Sequence, residues 1–134
     1  MNYKTDQEEF WAGNFGDEYI ERNQSARLLA SNLAFFSRVL KTAGKVDSVI
    51  EFGSNVGMNL RALKLLYPEQ EQFGVELNIK AANELRSFLG DQAVFNGSIF
   101  DYGISTQYEL VLIKGVLIHI NPEMLSTVYE KLYL

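Results

Sequence analysis

Val49-Ile50-Glu51-Phe52-Gly53-Ser54-Asn55-Val56-Gly57 is a short apolar run that ends in an acid and breaks into a glycine-punctuated turn. A helical pattern, 58–67, follows at once, and Pro68 helps to end it. Strand, tight loop and helix in that order make the grammar of a nucleotide-cofactor site. Gly53 and Gly57 let the backbone turn sharply and approach a ligand where a Cβ would collide.

Outward from this loop the alternation continues. The first strand spans 46–52, the second 72–77, the third 93–96 and the fourth 108–114. A helix over 79–89 is stopped by Gly90, and a loop over 97–106 precedes the fourth strand. The last helix starts near Pro122, with Asn121 as its N-cap. Before the core, 24–43 has helical spacing, with Leu28, Leu29, Leu33, Phe36, Val39 and Leu40 near one face and Gly44 as a stop. Residues 1–23 form an aromatic, acidic arm around Phe10, Trp11, Phe15 and Tyr19, read as a short helix or an irregular segment. The arm either packs on the domain or serves as a lid.

The pattern predicts an α/β fold: a Rossmann-like three-layer α/β/α sandwich with a mostly parallel sheet and right-handed crossovers, ending after the fourth strand. Residues 1–45 make the arm and its helix, and 46–134 make the ligand-binding core. No Pro/Gly/Ser linker separates them.

Composition narrows the function. The 134 residues can bury one core, and the net charge of −5 with no basic run argues against nucleic acid. No cysteine is present, which excludes disulfides, thiolate metal sites and a cysteine nucleophile; no metal site is expected. The first ten residues lack the apolar core of a signal peptide. The longest apolar run, 110–120, carries Lys114 and His119 and is too short to span a bilayer. The expected setting is the cytoplasm, with a small-molecule substrate and no membrane partner.

A dinucleotide fingerprint, G-x-G-x-x-G, falls on Gly53, Asn55 and Met58, so two of its three glycines are missing. The pattern acid-x-Gly-x-Gly-x-Gly fits better, as Glu51, Gly53, Asn55 and Gly57. Only the middle glycine departs, and Asn tolerates a left-handed backbone there. Glu76 and Leu77 close the second strand about 20 residues beyond the loop, where a carboxylate can accept both ribose hydroxyls of NAD or of another nucleoside. Asn96-Gly97-Ser98-Ile99-Phe100-Asp101 follows the third strand, with Asp101 a further polar contact or a turn residue. The fourth strand delivers Lys114 and Gly115 to the ligand edge of the sheet, unless the Lys114 stem snorkels along the surface.

These four motifs, in this order and spacing, resemble the class I S-adenosylmethionine-dependent methyltransferases from residue 46 to the end. The resemblance implies S-adenosylmethionine as cofactor and S-adenosylhomocysteine as product, bound by Glu51, Gly53, Ser54, Asn55, Gly57, Glu76, Leu77, Ser98, Ile99, Lys114 and Gly115. Ser98 would face the adenine amine and Ile99 its ring, although many families carry an acid where Ser98 stands. The arm 9–23 and His119-Ile120-Asn121-Pro122 also resemble the methylases associated with pseudaminic acid biosynthesis, which implies a sugar or nonulosonic acid intermediate as acceptor.

His119, the single histidine, lies just past the fourth strand and is the candidate general base; it otherwise packs or caps before the last helix. Tyr19 and Arg22 in the arm are candidates for the cofactor carboxylate or an acidic substrate, with a surface ion pair to Glu18 or Glu21 the alternative for Arg22. The resemblance also implies more strands than four. An apolar fourth strand left at an edge invites a further part of a longer chain, or a homodimer through that edge or the last helix. An NAD-dependent oxidoreductase and a non-catalytic cofactor-binding module are the rival functions.

Overall fold

A computed structural model describes residues 3–23 and 25–133, with the side chains of residues 20–23 outside that description. Four parallel strands, β1 (Ser48–Phe52), β2 (Glu71–Glu76), β3 (Val94–Asn96) and β4 (Leu110–Ile113), form one sheet in the order β3-β2-β1-β4. In register, Ile50 lies between Phe73 of β2 and Val111 of β4. Chain order therefore reverses at β1, so a crevice opens beyond the C-terminal ends of β1 and β4, where open α/β sheets bind ligands.

The alternation in β1 assigns the two faces. Val49 points into a cluster built by α3 (Ala26–Val39), α4 (Met58–Leu66) and α5 (Ile79–Leu89), through Phe36, Leu60, Leu63 and Leu85. Ile50 and Phe52 point the other way, into a cluster around Tyr102 that Phe73, Phe95 and Tyr108 complete. That second face is covered by the 98–108 loop and by α6 (Leu125–Tyr133), whose Lys131 donates to the Tyr102 carbonyl at 2.6 Å. The sandwich is thus α/β/α as read from the sequence, with an aromatic loop forming part of the second covering layer.

Several element boundaries differ from those expected. The helix read over 24–43 runs only from Ala26 to Val39, capped by the Ser25 hydroxyl on the Leu28 N–H at 3.0 Å, and 40–43 is a turn that leads into Gly44. The last helix is preceded by a 3-10 turn, Pro122–Met124, and the α-helical part begins at Leu125. The arm is two helices, α1 (Asp6–Ala12) and α2 (Asn14–Asn23). No helix among the described residues is long and apolar enough to cross a membrane.

Leu85 connects the core to the glycine loop. It is fully buried, and its two methyls fill the spaces that a Cβ on Gly57 or on Gly74 would need, at 2.6 and 2.5 Å. Leu85→Ala is expected to cost about 2–5 kcal/mol. The loss would appear as a lower urea midpoint at unchanged m-value. A cost below about 1 kcal/mol would mean that the site collapses around the smaller residue.

Candidate functional site

The loop after β1 has the backbone that its residues allow. Gly53, Asn55 and Gly57 all have positive φ, at 75°, 51° and 84°, and Asn55 is the one non-glycine among the described residues to do so. The bonds Gly53 N–H and Ser54 N–H to the Val75 carbonyl, at 2.8 and 3.1 Å, pull the loop back over β2. The Ser54 hydroxyl donates to the Glu51 carbonyl at 2.8 Å and closes the turn from inside. The space in front of both glycines is taken by protein: a Cβ on Gly53 would strike Val116, and one on Gly57 would strike Leu85. Their role is therefore the left-handed turn and its packing, while Gly53 also reaches the cavity wall.

Glu76 closes β2 and holds the loop. Its Oε2 accepts the Asn55 N–H at 2.6 Å and its Oε1 accepts the Asn78 N–H at 2.9 Å. Each oxygen keeps a second lone pair for a ligand hydroxyl. Burial pushes the Glu76 carboxyl above its ordinary range, against the pull of these N–H donors.

Glu51 lies behind the loop, fully buried. Asn59 of α4 donates to its Oε1 at 2.6 Å. Among the described residues, Glu51 Oε2, Asn55 Oδ1 and Asn59 Oδ1 are buried without a hydrogen-bond partner. Burial drives the Glu51 carboxyl from 4.5 to about 8; the Asn59 bond opposes this, the nearby Glu76 charge adds to it, and Lys114 again opposes it.

A cavity of about 300 Å³ opens above these groups. That volume sits at the lower end of small-molecule sites. Gly53, Ser54, Asn55, Glu76 and Leu77 line one side; Ser98 and Ile99 line a second; Lys114, Gly115 and His119 line a third. Tyr19 also reaches it from the arm. Glu51 and Gly57 do not line it, and the side chain of Arg22 lies outside the described residues. The Lys114 ammonium stands 5.5 Å over the Phe35 ring, so its side chain runs out toward α3 while the residue borders the cavity. No group of three or more His, Cys, Asp or Glu among the described residues converges to hold a metal ion.

The arm is part of this site. The Asn78 side-chain Oδ1 caps α5 through the Ala81 N–H at 3.1 Å. Its Nδ2 donates to the Trp11 and Ala12 carbonyls and, at 2.7 Å, to Asp17. Asn78 and then Lys80, 3.2 Å away, hold the Asp17 carboxyl below the usual carboxylate range. Trp11 packs edge-to-face on Phe15 and Tyr19 and lies 4.6 Å from the His119 ring.

Glu8 is the residue that sequence reading missed. It is almost fully buried, accepts the Lys4 N–H at 2.7 Å on one oxygen, and accepts the Ser98 hydroxyl on the other. The Ser98 proton is therefore already committed to a carboxylate. The Ser98 oxygen also accepts the Phe100 N–H at 3.1 Å. The carboxylate absent at position 98 is delivered to the same wall by an arm 90 residues earlier in the chain. The only sequence signal was an acid in the arm's first turn, indistinguishable from Glu9 beside it. Asn32 of α3, Asn59 and Val116 were also missed and also line the cavity.

No family model matches the chain, and no curated protein matches it. Solved structures do. A putative S-adenosyl-L-methionine-dependent methyltransferase from Methanococcus maripaludis superposes with TM-score 0.71 at 14% identity, over 99% of this chain and 60% of that one. A sugar N-methyltransferase from Streptoalloteichus matches with TM-score 0.58 at 19% identity, over 80% and 42%. An S-adenosylmethionine-bound amino pentose methyltransferase of calicheamicin biosynthesis, from Micromonospora echinaspora, matches with TM-score 0.55 at 16% identity, over 75% and 41%. At these identities the likeness establishes the fold, which is that of Rossmann-like methyltransferases. The chain spans 41–60% of the length of these three.

The raised Glu51 carboxyl makes stability depend on pH. From 4.5 to about 8 the folded protein keeps a proton on Glu51 that the unfolded chain gives up. Its contribution is full below 4.5 and is lost as pH rises through 8, up to about 5 kcal/mol. Glu76 acts in the same direction. Thermal melting of the wild type should fall between pH 5.5 and pH 8.5, and Glu51→Gln, which keeps an acceptor for Asn59, should flatten most of that fall. Equal slopes in both proteins would remove Glu51 as the source.

Proposed function

We propose that this chain holds the cofactor-binding core of an S-adenosylmethionine-dependent methyltransferase acting on a small molecule. The observation that carries the reading is the Glu76 clamp on the Asn55 N–H, at the strand-order reversal and beside a cavity of about 300 Å³. The methyltransferase fold of the solved neighbours supports it.

The residues present fit such a cofactor. Glu76 has lone pairs left for ribose hydroxyls. Ile99 offers an apolar surface to a base, with the Glu8–Ser98 pair beside it as acceptor for an exocyclic amine. The unpartnered side-chain oxygens of Asn55 and Asn59, both of which line the cavity, suit a ligand that brings N–H donors. An NAD reading is disfavoured because Met58, at the first turn of α4, occupies the third fingerprint position and lines the cavity.

The bound cofactor would supply an already activated methyl group, so the protein's task is orientation and exclusion of water. Trp11, Tyr19 and Glu8 of the arm line the cavity together with the loop. His119 holds or takes the proton of the acceptor. The acceptor is a sugar or a nonulosonic acid intermediate, the two alternatives that the resemblance of the arm implies. β4 is an edge strand among the described residues, with Val111 partly exposed, and α6 exposes Tyr129 and Tyr133. Those surfaces are the seat for further strands of a longer chain or for a second copy.

Calorimetric titration should show binding of S-adenosylmethionine and S-adenosylhomocysteine and none of NAD. Glu76→Gln should weaken S-adenosylhomocysteine at least about tenfold, roughly 1.4 kcal/mol. Binding of NAD alone would reverse the assignment. His119→Ala should keep the affinity for S-adenosylhomocysteine and lower turnover by about a hundredfold. Near-normal turnover would take His119 out of the mechanism.

A further inference from the structure

A second depression, of about 440 Å³, adjoins the first. Gln7, Trp11, His119 and Ile120 border both, so the Trp11–His119 pair, with ring centroids 4.6 Å apart, stands as a partition between them. On the far side the walls are Phe10 and Asp6 of α1 and Ile118 and Pro122 of the segment after β4. We propose that this groove is the acceptor subsite of the methyltransferase reading, on which it rests, and that it takes an amine-bearing, sugar-sized ring rather than an acidic sugar.

The chemistry of the walls selects that class. Phe10 is 52% exposed and Ile118 82% exposed, side by side in one groove. Neighbouring exposed apolar groups of this size mark a binding surface. They offer apolar surface to the carbon face of a ring. Phe10 stacks on Phe15 at 4.3 Å and meets Trp11 edge-on at 5.8 Å, which holds the aromatic wall in shape. Aromatic faces also attract an ammonium group.

The charge at the groove has one sign. Asp6 is its carboxylate and makes no ion pair among the described residues. No Lys or Arg among the described residues lines it, and the nearby Lys4 is engaged with Asp101 at 2.7 Å. A carboxylated acceptor would meet Asp6 with no counter-charge in the groove. An ammonium would meet a carboxylate and two aromatic rings, with the His119 imidazole at the partition to receive the proton that it must shed before reacting.

Trp11 is the single tryptophan, so its fluorescence reports on the partition directly. The protein, saturated with S-adenosylhomocysteine, is titrated with glucosamine, glucose and N-acetylneuraminic acid. The expected result is a saturable Trp11 response to glucosamine, weaker for glucose and absent for the acid. Asp6→Asn should weaken glucosamine at least fivefold and Asp6→Glu should restore it, with calorimetric affinity for S-adenosylhomocysteine equal in all three proteins. A tighter response to the acid, or glucosamine binding indifferent to Asp6→Asn, or no saturable response to glucosamine, would overturn the proposal while leaving the cofactor reading intact. Failure of S-adenosylhomocysteine itself to bind would instead overturn the cofactor reading, and is seen separately in the calorimetry.

Discussion

The site depends on one carboxylate with two backbone partners. Glu76 closes β2, and its oxygens hold the Asn55 N–H of the loop after β1 and the Asn78 N–H at the start of α5. A partly buried carboxylate must be satisfied, and hydrogen bonds to a charged group contribute about 1.5–3 kcal/mol each. Here the satisfaction comes from the backbone of two different connections. The loop therefore cannot take another shape without depriving Glu76 of a donor. Asn78, placed by the same carboxylate, then uses its own side chain to cap α5 and to hold the arm. Loop geometry, helix start and arm placement all descend from a single acid at a strand end.

That arrangement gives the two acids of the site different partners. Glu76 is bonded by backbone donors on both oxygens, while Glu51 has one side-chain donor and one unpartnered oxygen in full burial. Glu51 therefore keeps its proton near neutrality in the free protein. The cost of burying the acid is offset by the packing of α3 and α4 on β1, where Phe36, Leu60 and Leu63 close over Val49.

The arm changes the character of the cavity. Glu8, Trp11 and Tyr19 line it, and Glu8 adds a carboxylate beside Ser98. Trp11 also faces His119, so the segment that lines the larger cavity also borders the second depression. The arm's aromatics pack on one another and border the cavity at once, since Trp11 rests on Phe15 and Tyr19 while lining it.

Local patterns in the sequence determined the fold class, the order of strands and helices, and the strand ends that line the cavity. Period-two and period-3.6 repeats are local, and so are glycine and proline signals, so the glycine loop, Glu76 and the Lys114–Gly115 strand end were legible from the residues themselves. The left-handed backbone at Asn55 was legible too, since few other residues tolerate it. What tertiary structure alone decided is which distant groups meet. Nothing near Glu8 distinguishes it from Glu9, yet only Glu8 reaches Ser98, because the Asn78 amide sets where α1 lies. The same holds for the space in front of Gly53 and Gly57, which reads from sequence as room for a ligand and is filled by Val116 and Leu85. The partition of Trp11 and His119, from opposite ends of the chain, is likewise a product of packing. Contacts across that separation are set by how layers stack, and no local period records them.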